Sequence, residues 1–149
     1  MKPRITQDTL FELCPRIATH LVALGEIPSS VSISQSLRHL VKLRVSQLNH
    51  CGYCQHMHAH EARKDGEQQS RLDVLAAWQE VGCFDEKERA ALAWAETLTL
   101  IANQPISEKS FNTALAYFGE KELIELTTCI LEINSWNRIA VGFRLQPEC

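Results

Sequence analysis

Residues 34–66 read "SQSLRHLVKLRVSQLNHCGYCQHMHAHEARKDG". In the first half, Leu37, Leu40, Val41, Leu43, Val45 and Leu48 recur at the spacing of one helical face. In the second half, "MHAHEARKDG" predicts a polar helix, which Gly66 can end as the residue after its C-cap. Between the two lie Cys51 and Cys54 in C-x-x-C spacing, and residues 49–60 carry four histidines. The stretch therefore predicts two helices with a cysteine pair at their junction.

The same periodicity extends outward in both directions. Upstream, "TLFELCPRIATHLVAL" spaces Leu10, Phe11, Cys14, Ile17, Leu21, Val22 and Leu24 as helix, with Pro15 beginning or kinking a segment, and "GEIPSS" breaks it. Downstream, "RLDVLAAW" predicts a short helix. "FDEKERAALAWAETLTLI" opens with Asp85 and Glu88 in capping-box spacing, and Pro105 is expected to close it. Ser107 can cap "EKSFNTALAYF", which Gly119 ends. "EKELIELTTCILEINSWNRIAVGF" is the longest and most apolar run, with apolar residues on more than one face, so it predicts a central helix or one partly buried between subunits. No strand alternation, repeat or linker interrupts the chain. The expected class is all-α, a single-domain bundle of about six or seven helices over residues 1–149.

A chain of 149 residues can bury a sizeable core without disulfides. Its formal charge of −3 gives no basic footprint for nucleic acid. Asp8 and Glu12 interrupt the N-terminal stretch that a signal peptide would need, and no apolar run approaches the ~18 residues of a membrane span. These features predict a cytoplasmic protein with no membrane partner. Besides the 51/54 pair, the cysteines at 14, 83, 129 and 149 are scattered, unlike the framework of a small secreted domain. Cys14, Cys83 and Cys129 are candidate core thiols, and Cys149 is expected to be mobile and exposed, without a function.

Three chemistries fit the cysteine stretch. In the first, the C-x-x-C places a sulfur at a helix N-terminus, where unpaired amides favour thiolate over thiol. His58 lies four residues beyond Cys54, on the same helical face, and can take the thiol proton. The second cysteine can then resolve a sulfenic acid as a disulfide. In the second, Cys51, Cys54 and His58, with His39, His50, His56 or His60, supply ligands for a metal such as Zn²⁺. Against it, all of these but His39 fall within eleven residues, without the separated second ligand pair of most structural zinc sites. In the third, the histidines decorate an exposed helix and the C-x-x-C is incidental. His39 and His58 are symmetric about positions 48–49, so an antiparallel pair reversing there would set them at about the same height.

The segment "LRHLVKLRVSQLNHCGYCQHMHAHEARKDGE" resembles the alkylhydroperoxidase AhpD-like, or carboxymuconolactone decarboxylase, family. The redox-active members of that family carry Glu-x11-Cys-x2-Cys-x3-His. The similarity continues through "RLDVLAAWQEVGCFDEKERAALAWAETLTLI", covering about residues 35–101. The resemblance implies an AhpD-like helical bundle that assembles as a homo-oligomer, trimer or hexamer. It also implies thiol-dependent reduction of organic hydroperoxides in antioxidant defence. Cys54 would be the peroxide-reacting thiol, Cys51 the resolving thiol and His58 part of a proton relay. The disulfide would be reopened by an external thiol or dihydrolipoyl-type donor, with no metal and no bound cofactor. The alternatives are a non-peroxidatic thiol–disulfide reductase or redox sensor on the same cysteines, and a Cys/His metal-binding module.

Two positions depart from the family pattern. His39 stands where the glutamate falls, and an imidazole cannot supply a carboxylate's negative charge to His58, so His39 is a candidate for a rewired relay or the cause of a weakened one. His50 stands where glycine is frequent. Ser46 and Gln47 are expected to hold the turn, and Tyr53 to pack over the cysteines. Trp78, Trp94 and Trp136 are expected as core or interface anchors, and Arg89 as a surface charge.

Overall fold

The structure is a computed structural model and describes residues 1–26, 28 and 30–148. Cys149 lies outside the described residues. Among the described residues seven α-helices follow in order: α1 Gln7–Leu13, α2 Pro15–Gly25, α3 Gln35–Leu48, α4 Gly52–Lys64, α5 Gln69–Asp73, α6 Glu86–Thr99 and α7 Glu108–Phe143, with a 3-10 turn at Leu75–Ala77. No strand occurs among the described residues. The all-α class and helix number agree with the expectation from periodicity.

Local chemistry sets most of the boundaries. Ser34 accepts from the Leu37 amide at 3.1 Å and starts α3. Asp85 and Glu88 form both halves of the expected capping box on α6. Ser107 caps α7 through the Ser110 amide. Gly66, at φ 95°, ends α4 with paired bonds from Gly66 N to Arg63 O and Glu67 N to Ala62 O. Gly119, at φ 64°, breaks α7 into two helical lengths, as its residue type predicts. Pro15 begins α2, in the first helical turn where its missing N–H costs nothing. One boundary differs: α6 stops at Thr99, and the chain turns over residues 100–104 before Pro105 is reached.

The central element is α3, which packs against α4, α6 and α7. Val41 and Val45 join Ala91, Leu126, Ile130 and Ile133 in the main core, which also takes in Cys51 and Cys54. Leu40 and Leu43 join Leu72, Leu75, Trp78 and Leu92 in a second cluster. Among the candidate core thiols only Cys129 is buried; Cys14 is half-buried between α1 and α2, and Cys83 is exposed, on the irregular stretch before α6.

Candidate active site

The turn between α3 and α4 builds the site. Residues 49–51 reverse the chain, with His50 in the left-handed region at φ 53°. That conformation favours glycine, and histidine is among the few other residues that adopt it. The carbonyl of Ser46 accepts from the Cys51 amide at 3.0 Å. Asn49 Nδ2 donates to Asn134 and Asn137, 2.9 Å to each side-chain oxygen. Ser46 and Gln47 thus hold the turn through their backbone carbonyls, which accept from the Cys51 and His50 amides, and not through the side-chain bonds expected of them: the Ser46 hydroxyl donates to the Lys42 carbonyl and the Gln47 side chain accepts from Arg44.

Cys51 is the N-cap of α4, and its sulfur accepts from the Cys54 amide at 3.3 Å. The two cysteines are joined as a disulfide with Cα atoms 5.4 Å apart. Each is only 1% exposed, so the pair sits inside the bundle. The helix N-terminus stabilises negative charge beside the sulfurs when the bond is open. Tyr53 borders both cysteines, and its hydroxyl donates to Gln7 Oε1 at 3.1 Å, tying α4 to α1.

One turn along α4 from Cys54, His58 is also buried. Its Nδ1 lies 2.9 Å from Glu61 Oε2. The hydrogen bond from His58 holds the Glu61 carboxyl below the usual carboxylate range, against burial, with further help from the nearby charges of His58, His39 and Lys42. The Nε2 atom of His58 is buried and has no hydrogen-bond partner among the described residues.

Cys54, His58 and Glu61 line one cavity of about 390 Å³, whose apolar wall includes Phe11 of α1, Val22 of α2 and Trp136 of α7. Phe11 meets Trp136 edge to face, with ring centroids 6.3 Å apart. Trp78 and Trp94 are buried anchors as expected, but Trp136 is half-buried and forms part of this wall. Lys42 and Glu132 also line it, Nζ 2.8 Å from Oε2, an ion pair held by charge and proximity. A second cavity, about 260 Å³, reaches the other cysteine, Cys51, beside His50 and Arg144.

His39 is placed elsewhere. It is buried on α3, with Nε2 2.7 Å from Asp65 Oδ2 and 3.3 Å from Gln35 Nε2, and it lines a separate cavity with Ser36 and Arg71. Cys51, Cys54 and His58 are thus brought together, while His39 bonds a carboxylate of its own. His50, His56 and His60 are exposed. Among the described residues, no three His, Cys, Asp or Glu side chains converge on a metal-sized space. Glu61 was not singled out from the sequence, although its spacing of three from His58 on one helix is the signal that finds it. Lys42 and Glu132, ninety positions apart, carry no such signal.

Residues 15–97, more than half of the chain, match the carboxymuconolactone decarboxylase family. The chain belongs to that family. Among its relatives is YdfG of Bacillus subtilis, an uncharacterized protein 34% identical over 89% of this chain and 90% of its own length. A protein of unknown function from Agrobacterium tumefaciens, suggested to be the antioxidant defence protein AhpD, superposes with a TM-score of 0.90 at 35% identity, over 99% of both chains. The debrominase Bmp8, crystallised in complex with 2,3,4-tribromopyrrole, shares the fold at a TM-score of 0.70 and 19% identity, over 96% of this chain and 73% of its own. The AhpD-like helical fold and membership of the carboxymuconolactone decarboxylase family agree with the resemblance read from the motif. A family whose fold also carries a debrominase does not fix a substrate by fold alone.

Proposed function

We propose that this protein reduces organic hydroperoxides through the Cys51–Cys54 dithiol, using electrons from an external thiol or dihydrolipoyl-type donor, as an antioxidant enzyme of the cytoplasm. The observation that carries the reading is that Cys54 and His58, one helical turn apart, are both buried and open onto the same apolar cavity. A cavity walled by Phe11, Val22 and Trp136 suits a hydroperoxide with an apolar substituent better than hydrogen peroxide.

In the reaction, His58 takes the Cys54 thiol proton. The thiolate attacks the distal peroxide oxygen, forming an S–O bond and breaking the O–O bond. The leaving alkoxide receives the proton from His58 and departs as alcohol. The Cys51 thiol then attacks the sulfenic sulfur, water leaves and the disulfide closes. Two thiols of the donor reopen it by exchange, becoming a disulfide themselves. The cavity beside Cys51 offers the donor a second approach to the bridge. The exposed apolar side chains Ile124, Leu131 and Val141 on α7 support assembly of several copies, with trimer or hexamer as the proposed form. No helix among the described residues is long and apolar enough to cross a membrane.

The test is a free-thiol count on the reduced protein before and after one equivalent of cumene hydroperoxide, followed by stopped flow. Loss of two thiols within seconds, mapped to Cys51–Cys54 and absent in Cys54→Ser, is the expected result. The same cysteines would serve a thiol–disulfide reductase or sensor, and oxidation taking hours would favour that function. A dithiol that resists oxidation in protein purified with about one equivalent of zinc would overturn both.

A further inference from the structure

We propose that Glu61 is the positioning residue of His58, fixing the ring so that Nε2 faces the dithiol cavity as the proton acceptor; this rests on the peroxidase reading above. The bond between His58 Nδ1 and Glu61 Oε2 is 2.9 Å long and is made within one face of α4. An ionised carboxylate has no proton to give, so Nδ1 must be the donor. The depressed titration of Glu61 keeps it ionised at neutral pH. A neutral imidazole that carries its proton on Nδ1 has its lone pair on Nε2.

That Nε2 is the atom left buried without a partner among the described residues. A buried acceptor with nothing to accept costs free energy, and beside the cavity that His58 lines it is free to receive a proton. Cys54, four residues earlier on the same helix, supplies a proton there. His39 shows the opposite arrangement. Its Nε2 is the atom bonded to Asp65, and it lines a different cavity. The carboxylate that position 39 lacks is thus supplied to His58 from its own helix, while the His39–Asp65 pair opens onto a different cavity.

The test uses the full-length reduced protein, with nitrogen-15 NMR of the His58 ring and the rate of Cys54 oxidation by cumene hydroperoxide. Wild type should show the Nδ1–H tautomer. Glu61→Ala should move His58 toward Nε2–H and slow oxidation by about tenfold or more, part of the ~10²–10⁴-fold that a positioned acid–base group supplies. Glu61→Gln, whose amide oxygen can accept the same bond, should keep the tautomer and recover part of the rate. Asp65→Asn should react at about the wild-type rate. An unchanged tautomer in Glu61→Ala, an unchanged rate there, or an equal loss in Asp65→Asn would overturn the assignment. If wild type does not react with hydroperoxide, the peroxidase reading fails by itself, and the tautomer still decides whether Glu61 orients His58.

Discussion

Asn137 on α7 donates a 3.0 Å hydrogen bond to Ser46 Oγ on α3, and both residues are shut away from solvent. The oxygen of the same amide accepts from Asn49, whose backbone leads into Cys51. Ser46 meanwhile accepts the Cys51 amide through its carbonyl. One buried polar network therefore runs from the longest helix to the dithiol. Such networks are stabilising only when every member is satisfied.

Asn137→Ala is expected to destabilise the fold by about 1–3 kcal/mol, because it takes away one of the two acceptors of the Asn49 amide and the donor to Ser46 Oγ, and leaves a small void. Urea denaturation measures this directly. A loss below ~0.5 kcal/mol, the size of an ordinary surface change, would show that the network does not hold the turn.

His50 sits in the left-handed region at φ 53° with its side chain exposed. A side chain there costs roughly 1–2 kcal/mol, and glycine avoids that cost while adding about 0.5–1 kcal/mol of unfolded-state entropy to be lost. His50→Gly should therefore stabilise the protein by about 0.5–1 kcal/mol, read as a higher denaturation midpoint, with peroxide oxidation of the dithiol unchanged. A fall in stability would mean that the His50 side chain makes a contribution its exposure does not suggest.

What was legible in the sequence is what is written locally. The capping box at Asp85 and Glu88, the cap at Ser107 and the stops at Gly66 and Gly119 each depend on residues within four positions, and each is present. The Cys54–His58 face follows from the helical repeat alone. Partners distant in the chain left no trace. Arg89, expected as a surface charge, instead donates to the carbonyls of Trp78, Gln79 and Val81, with its guanidinium 5.3 Å from the Trp78 ring centroid. It holds together the irregular stretch before α6, where no backbone ladder is available. Lys42 with Glu132 and Ser46 with Asn137 are likewise pairs that only the packing of α3 against α7 creates. The antiparallel pairing of α3 and α4 does not by itself bring His39 to His58: His39 meets Asp65 and His58 meets Glu61, a choice that depends on side-chain direction.

Cys129 connects burial to pH dependence. Burial pushes its thiol up to about 11, so at pH 8 only about one copy in a thousand carries the thiolate. In the native, oxidised protein, iodoacetamide at pH 8 should leave Cys129 untouched while modifying exposed Cys83. The unfolded thiol titrates near 8.5, below the folded one, so between those values the native state binds more protons than the unfolded state. Stability from this group is complete below pH ~8.5 and is lost as pH rises toward 11, to a total of roughly 3 kcal/mol. Cys129→Ala should flatten that alkaline fall in urea midpoint. An unchanged slope would show that the thiol is not the titrating group.

Cys51→Ser separates the two roles within the dithiol. Serine is a good N-cap, so its hydroxyl can accept the Cys54 amide as the Cys51 sulfur does, and α4 should keep its start. Cys54 and His58 remain in their cavity. The variant should react once with cumene hydroperoxide at near the wild-type rate and then stop, since no second thiol is in place to displace water from the sulfenic acid. Dimedone labelling should find that species on Cys54, and turnover with a dithiol donor should fall by about tenfold or more because each cycle must wait for an external thiol to reach a buried sulfur. Cys54→Ser should show no rapid first reaction. If instead Cys51→Ser abolishes the first reaction and Cys54→Ser retains it, the peroxide-facing and resolving sulfurs are the reverse of those proposed.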